Sequence, residues 1–198
     1  MMKTLSYMLA LSLALLVAQH AVWAQVGKDK EHAELAKALS GAKVSLGAGL
    51  IASARVGKPI SAKFELGDEE SVKKSAMIAE IPGSFLKDRQ VSHKRMEVEL
   101  TVYTEKDGRF TEVSVDPQSG KVVRYWPISE GKDLTAAKRQ SAALAKAKVS
   151  LNTAIDKAVA DAGYTAVSVV PMLKNAHPVA TITLVKDGKW KTVTEKLD

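Results

Sequence analysis

The sequence predicts an α+β protein made of two similar units, each a helix packed on a small antiparallel sheet. Three observations carry that expectation. Ala42-Lys43-Val44-Ser45-Leu46 recurs as Ala147-Lys148-Val149-Ser150-Leu151, and internal repetition of this kind marks duplicated supersecondary units. Lys106-Asp107-Gly108-Arg109-Phe110 is matched by Lys186-Asp187-Gly188-Lys189-Trp190. Asp-Gly between alternating runs is a strong hairpin signal. The residues ahead of both turns alternate apolar and polar, as half-buried strands do.

Taken in order, the first residues read as an export signal. Met1 to Tyr7 is short and polar with one charge, Lys3, and Met8 to Ala18 is an almost unbroken apolar run. Gln19 and His20 interrupt it, and Val22 and Ala24 then flank Trp23 as a small-residue cleavage site. Residues 1–24 are thus expected to be a signal peptide cut after Ala24, which places the mature protein in the periplasm. The apolar run is short for a membrane span, which takes roughly 20 residues, and no later segment is longer. The expected organisation is a first unit over 25–130, with an insertion at about 67–95, and a second, truncated unit over 131–198.

Both AKVSL copies sit inside helical patterns. Leu35, Leu39, Ala42, Leu46, Leu50 and Ala54 form one stripe, and Leu144, Ala147, Leu151, Ile155, Ala158 and Ala162 form the other. Gly57 and Gly163 stand where each helix is expected to stop. Strands are expected at Ile60–Leu66 and Ala166–Leu173, at Met96–Tyr103 and Ala180–Leu184 before the two turns, and after each turn. Asp116-Pro117-Gln118-Ser119-Gly120 is turn chemistry that leads into a fourth strand of the first unit. The second unit lacks that strand. Its sheet must have a free edge or borrow a partner from the first copy, and a free edge can accept a strand from another chain.

The 198 residues contain no cysteine, which excludes disulfides, thiolate metal sites and thiol catalysis. The formal net charge is +7, but basic and acidic residues are mixed along the whole chain. Only Arg55, Arg89, Arg95, Arg109, Arg124 and Arg139 are arginine, with no Arg-rich block interleaved with aromatics. Together with export, this argues against nucleic acid as a partner.

At the hairpin and the turn after it, the chain resembles the PepSY family. Members carry a striped helix, then an antiparallel sheet ending in a glycine-containing hairpin and V-D-x-x-[ST]-G-K-V. Here that tail reads Val115-Asp116-Pro117-Gln118-Ser119-Gly120-Lys121-Val122. The second copy matches through its hairpin and drops the tail. The resemblance spans most of 30–198 as a degenerate tandem. It implies an inhibitory or binding module, not an enzyme, with an envelope protein or a peptidase as partner. The layout and size are also similar to exported tandem PepSY proteins that bind lanthanides.

Catalytic patterns are missing. His32, His93 and His177 form no HExxH or i, i+4 pair, and no G-x-S-x-G elbow or phosphate-cradling loop occurs. Gly47-Ala48-Gly49 reads as a site of close packing. Carboxylates are the better candidates. If Val98 faces Val115 and Leu100 faces Val113, then Glu97 lies beside Asp116, Glu99 near Ser114, and Glu112 opposite Thr101 and diagonal to Glu99. Like charges across a ladder repel, and a hard cation, Ca²⁺ or a lanthanide ion, relieves the repulsion. Glu97, Glu99, Glu112 and Asp116 are therefore one candidate metal site, and Asp68, Glu69 and Glu70 a second. Lys63 and Lys121 are the cations able to neutralise the first, and as ordinary exposed strand or helix-start residues all seven need no metal. Tyr103, Phe110, Tyr125 and Trp126 are expected either to cover the second repeat or to form a peptide-binding platform.

Overall fold

The computed structural model describes residues 29–67, 98–160 and 163–198. The expected signal peptide and nearly all of the expected insertion lie outside them. The chain divides after Glu34. Of the first unit only 29–34 are described, and they are helical; Leu35–Asp198 form the second unit, which holds every described strand.

The elements are α1 (29–39), α2 (Leu46–Ser53), β1 (Lys58–Leu66), β2 (Val98–Lys106), β3 (Arg109–Val115), β4 (Val122–Ile128), α3 (Gly131–Leu144), α4 (Leu151–Val159), β5 (Thr165–Lys174), β6 (His177–Lys186) and β7 (Lys189–Lys196). All seven strands belong to one antiparallel sheet, in the order β4-β3-β2-β1-β5-β6-β7. This corrects the expectation of two helix-on-small-sheet units. The sheets of the two copies merge where β1 pairs with β5, Ala62 opposite Val169 and Lys63 opposite Ser168. Both junction apolars are buried. Pairing there leaves neither copy with an exposed strand edge at its centre, which is the reason one sheet replaces two.

Each long helix expected from its stripe is two helices. Ser45 and Ser150 start α2 and α4 by accepting the N–H groups of Ala48 and Thr153, each at 3.1 Å. Serine in the middle of an apolar stripe is a poor helix interior and a good N-cap. The freed N–H groups just before each cap find equivalent acceptors. Lys43 and Val44 donate to the Pro117 carbonyl at 2.9 and 3.0 Å; Lys148 and Val149 donate to the Leu197 carbonyl at 2.6 and 3.0 Å. Pro117 and Leu197 stand at the same distance along the chain from their Asp-Gly turns. The AKVSL repeat is therefore a helix break docked on the end of the third strand of its own copy.

Both hairpin turns are built alike. Asp107 and Gly108 have φ of 52° and 72°, and Asp187 and Gly188 have 50° and 72°. Two positive φ values in a two-residue loop match the twist of the strands they join. They set β2–β3 pairing with Lys106 opposite Arg109, so Leu100 faces Val115 and Val102 faces Val113. That is two residues away from the expected register. The shift is even, so each side chain keeps its face.

Leu100, Val102, Val113, Phe64, Val169, Ile182 and Leu184 line one side of the sheet under α2 and α4. Gly49 lets α2 come close: a Cβ there would stand 2.3 Å from Leu100 Cδ2. On the opposite side α3 covers the central strands. Its buried residues Ala137, Gln140, Ala143 and Leu144 follow a three-to-four spacing. Ser61 on β1 donates to Gln140 at 2.8 Å, and Tyr103 on β2 bonds Asp133. The middle of the sheet is thus buried on both faces, unlike its two ends.

Candidate functional site

The side of the first copy's strands facing away from α2 carries its polar chemistry. Alternation places Lys63 and Glu65 of β1, Glu99, Thr101 and Tyr103 of β2, Glu112 and Ser114 of β3, and Arg124 and Trp126 of β4 on that surface. Glu65 and Glu99 are direct partners across β1 and β2. Neither is left as a bare charge. Lys63 reaches Glu65 at 2.5 Å, and Thr101 donates to Glu65 at 2.6 Å. Glu99 is 4 % exposed and forms an ion pair with Arg124, which is 7 % exposed, and it also accepts from Ser114. The Arg124 guanidinium lies 5.7 Å from the Trp126 ring centre, a cation–π distance. Arg124 has a second, buried nitrogen, Nε, without a partner.

Glu112 is the least compensated of these acids. It sits opposite Tyr103 on one side and Trp126 on the other. Burial pushes its carboxyl up to about 7, and Glu65 and Asp133 add to the rise. Lys63 and the Trp126 indole, which donates to it, oppose the rise incompletely. Burial and the same acids, Glu112 and Asp133, push the Tyr103 hydroxyl upward, so it stays a donor to Asp133.

The candidate metal residues divide accordingly. Glu97, Asp68, Glu69 and Glu70 lie outside the described residues. Glu99 is neutralised by Arg124, and neither Lys63 nor Lys121, the cations expected from the sequence, takes that place. Asp116 is turned into its own loop, accepting from the Gln118 N–H at 2.8 Å and from Ser119 at 3.0 Å. Glu112 faces Tyr103 where Thr101 is expected from the sequence. The structure therefore does not gather Glu99, Glu112 and Asp116 at one point, and no group of three potential ligands stands together among the described residues. Of the weaker acids, Glu195 pairs with Lys157 at 2.6 Å and Asp198 with His177 at 2.9 Å.

The aromatics are also rearranged. Phe110 is buried opposite Ile128, Tyr103 is held under α3, and Tyr125, opposite Val113, belongs to the helix-covered side. No four-ring platform results.

Two other surfaces stand out. An apolar cleft of about 460 Å³ opens where the copies meet, lined by Leu50, Ile51, Pro59, Leu144, Val149 and Leu151 among others. Ile51, on its rim, is 69 % exposed. The second surface is the pair of sheet edges, β4 and β7. β4 carries Pro127, which has no N–H to offer. β7 reads KWKTVTEK, eight residues without proline, with exposed residues alternating along most of its length. Both alternatives expected for the second copy are realised: it borrows β1 as a partner at its inner edge and leaves an outer edge free of any further strand among the described residues.

No protein-family model, no curated protein and no solved structure matches the chain. Among the described residues no helix is long and apolar enough to cross a membrane.

Proposed function

We propose that this chain is an exported, non-enzymatic binding protein that takes up an extended segment of a partner protein, an envelope protein or a peptidase, along β7. The observation that carries the reading is the edge itself: a long, proline-free strand that ends the sheet. Alternate residues of such a strand turn their N–H and C=O groups outward, and an added strand satisfies them. The core behind β7 is complete without any partner, with Ile182, Leu184 and Leu197 fully buried, so the edge is presented by a rigid support. Export rests on the pattern of the first 24 residues. Amide hydrogen exchange tests the reading. Strand-prone peptides added to the full chain are expected to slow exchange over residues 189–196. Unchanged exchange there with every peptide refutes it.

A second reading, binding of Ca²⁺ or a lanthanide ion, is favoured by one observation. Glu65 and Asp133 leave enough negative potential at Glu112 to hold its proton to about pH 7, and a site that attracts a proton also attracts a cation. Titration with Tb³⁺, exciting Trp126 and Tyr103, is the test. Absence of sensitised emission at micromolar metal removes this reading, and emission that persists in Glu112→Gln moves the site elsewhere.

A further inference from the structure

We infer that the segment taken up at β7 is acidic. The inference rests on strand addition at β7 and adds the chemistry of the partner. β7 carries Lys189, Lys191 and Lys196 against one acid, Glu195. That acid is already occupied by Lys157 of α4 at 2.6 Å. The edge therefore presents ammonium groups with no counter-charge of its own. Lys189 and Lys196 are exposed and enter no ion pair among the described residues. They mark the two ends of the strand, so an added segment meets positive charge at both.

The surroundings reinforce the sign. At one end Lys186 stands opposite Lys189 across the hairpin. At the other, Lys196 pairs with Val179, close to the turn where Lys174 stands opposite His177. The Lys186 and Lys191 ammonium groups lie 5.8 and 5.5 Å from the Tyr164 ring centre, which orients them without cancelling their charge. The other edge lacks this character. On β4 the one cation, Arg124, is buried on Glu99.

Edge lysines discourage pairing between like strands. A second copy of this chain brings the same lysines and an overall charge of +7, so self-pairing at β7 is repelled. The same charges favour a strand with Glu or Asp opposite the lysines, since opposite-charge pairs across a ladder stabilise it and like pairs do the reverse.

The test uses the full chain and three peptides of one length. Each alternates Val and Thr at half its positions and carries Glu, Gln or Lys at the rest. Affinity and hydrogen exchange over 189–196 are read for each. The Glu peptide is expected to protect β7 and to bind about tenfold more tightly than the Gln peptide in 0.1 M salt, an advantage that shrinks at 1 M as screening shortens from about 10 to about 3 Å. The Lys peptide is expected to bind most weakly. Lys189→Glu combined with Lys196→Glu, both at exposed sites, is expected to transfer the preference to the Lys peptide. Equal binding of all three with β7 protected overturns the acidic preference and leaves strand addition standing. No protection by any peptide overturns strand addition itself. Dimerisation that protects β7 without peptide makes a second copy the occupant and overturns the inference.

Discussion

Replacing Glu112 by Gln removes a charge that the folded chain accommodates poorly. The carboxyl is half-buried between Tyr103 and Trp126, and burial with Glu65 and Asp133 raises it to about 7 from an ordinary 4.5. A raised value means the folded state holds the proton more tightly than the unfolded one. The associated stability is fully present below about pH 4.5 and is lost as pH climbs through about 7. Above that, folding must desolvate an ionised carboxylate beside Glu65. Converted at about 1.36 kcal/mol per pKa unit, the gap sets a ceiling of about 3 kcal/mol. Water reaches part of the side chain, so about 1–3 kcal/mol is expected. Gln keeps an oxygen to accept from Trp126 and cannot ionise. Urea unfolding of both proteins at pH 5 and pH 8 reads the effect. The wild type is expected to lose about 1–3 kcal/mol relative to Glu112→Gln between the two pH values, with the variant the more stable at pH 8. Parallel pH dependence of the two proteins refutes the reasoning, because it means Glu112 is ionised in the fold without penalty.

Three further outcomes are expected from the packing. Arg124→Met strands a buried Glu99 charge and is expected to cost about 3–5 kcal/mol, whereas Glu99→Leu with Arg124→Met restores most of that; equal losses in chemical denaturation for the single and double variants refute the pairing. Gly49→Ala raises helix propensity yet is expected to destabilise by about 1–3 kcal/mol, since its Cβ meets Leu100 at 2.3 Å; a higher melting temperature refutes this. Leu197→Ala empties a fully buried position beside the α4 break and is expected to cost about 2–5 kcal/mol; hydrogen exchange at the Lys148 and Val149 amides, which bond the Leu197 carbonyl, is expected to quicken, and unchanged exchange there refutes the dock.

The candidate site is legible in the sequence only in part. Alternation is enough to put Glu99, Glu112 and Trp126 on one side of the sheet and Leu100 and Val113 on the other, because pleating alone decides which face a side chain takes. It is not enough to find Arg124 behind Glu99. Those residues lie on β2 and β4, with β3 between them, and a charge partner two strands away leaves no periodic trace in the chain. Asp116 fails as a ligand for a different reason: aspartate ahead of Pro117 and Gly120 serves its own turn, which competes with any ligand for the same oxygens.

Local chemistry by itself determined the repeat, the two Asp-Gly hairpins, the strand positions and the apolar faces, since each depends on residues near one another in the chain. Only the tertiary structure decided that β1 joins β5 into one sheet, that Ser45 and Ser150 break their helices, and that β7 becomes the edge. Pairing partners are chosen by which exposed strand edges the whole chain can bury together. A serine inside an apolar stripe caps rather than continues only when a distant carbonyl, from Pro117 or Leu197, takes up the amides before it. Those energies belong to contacts between remote segments, and no local pattern contains them.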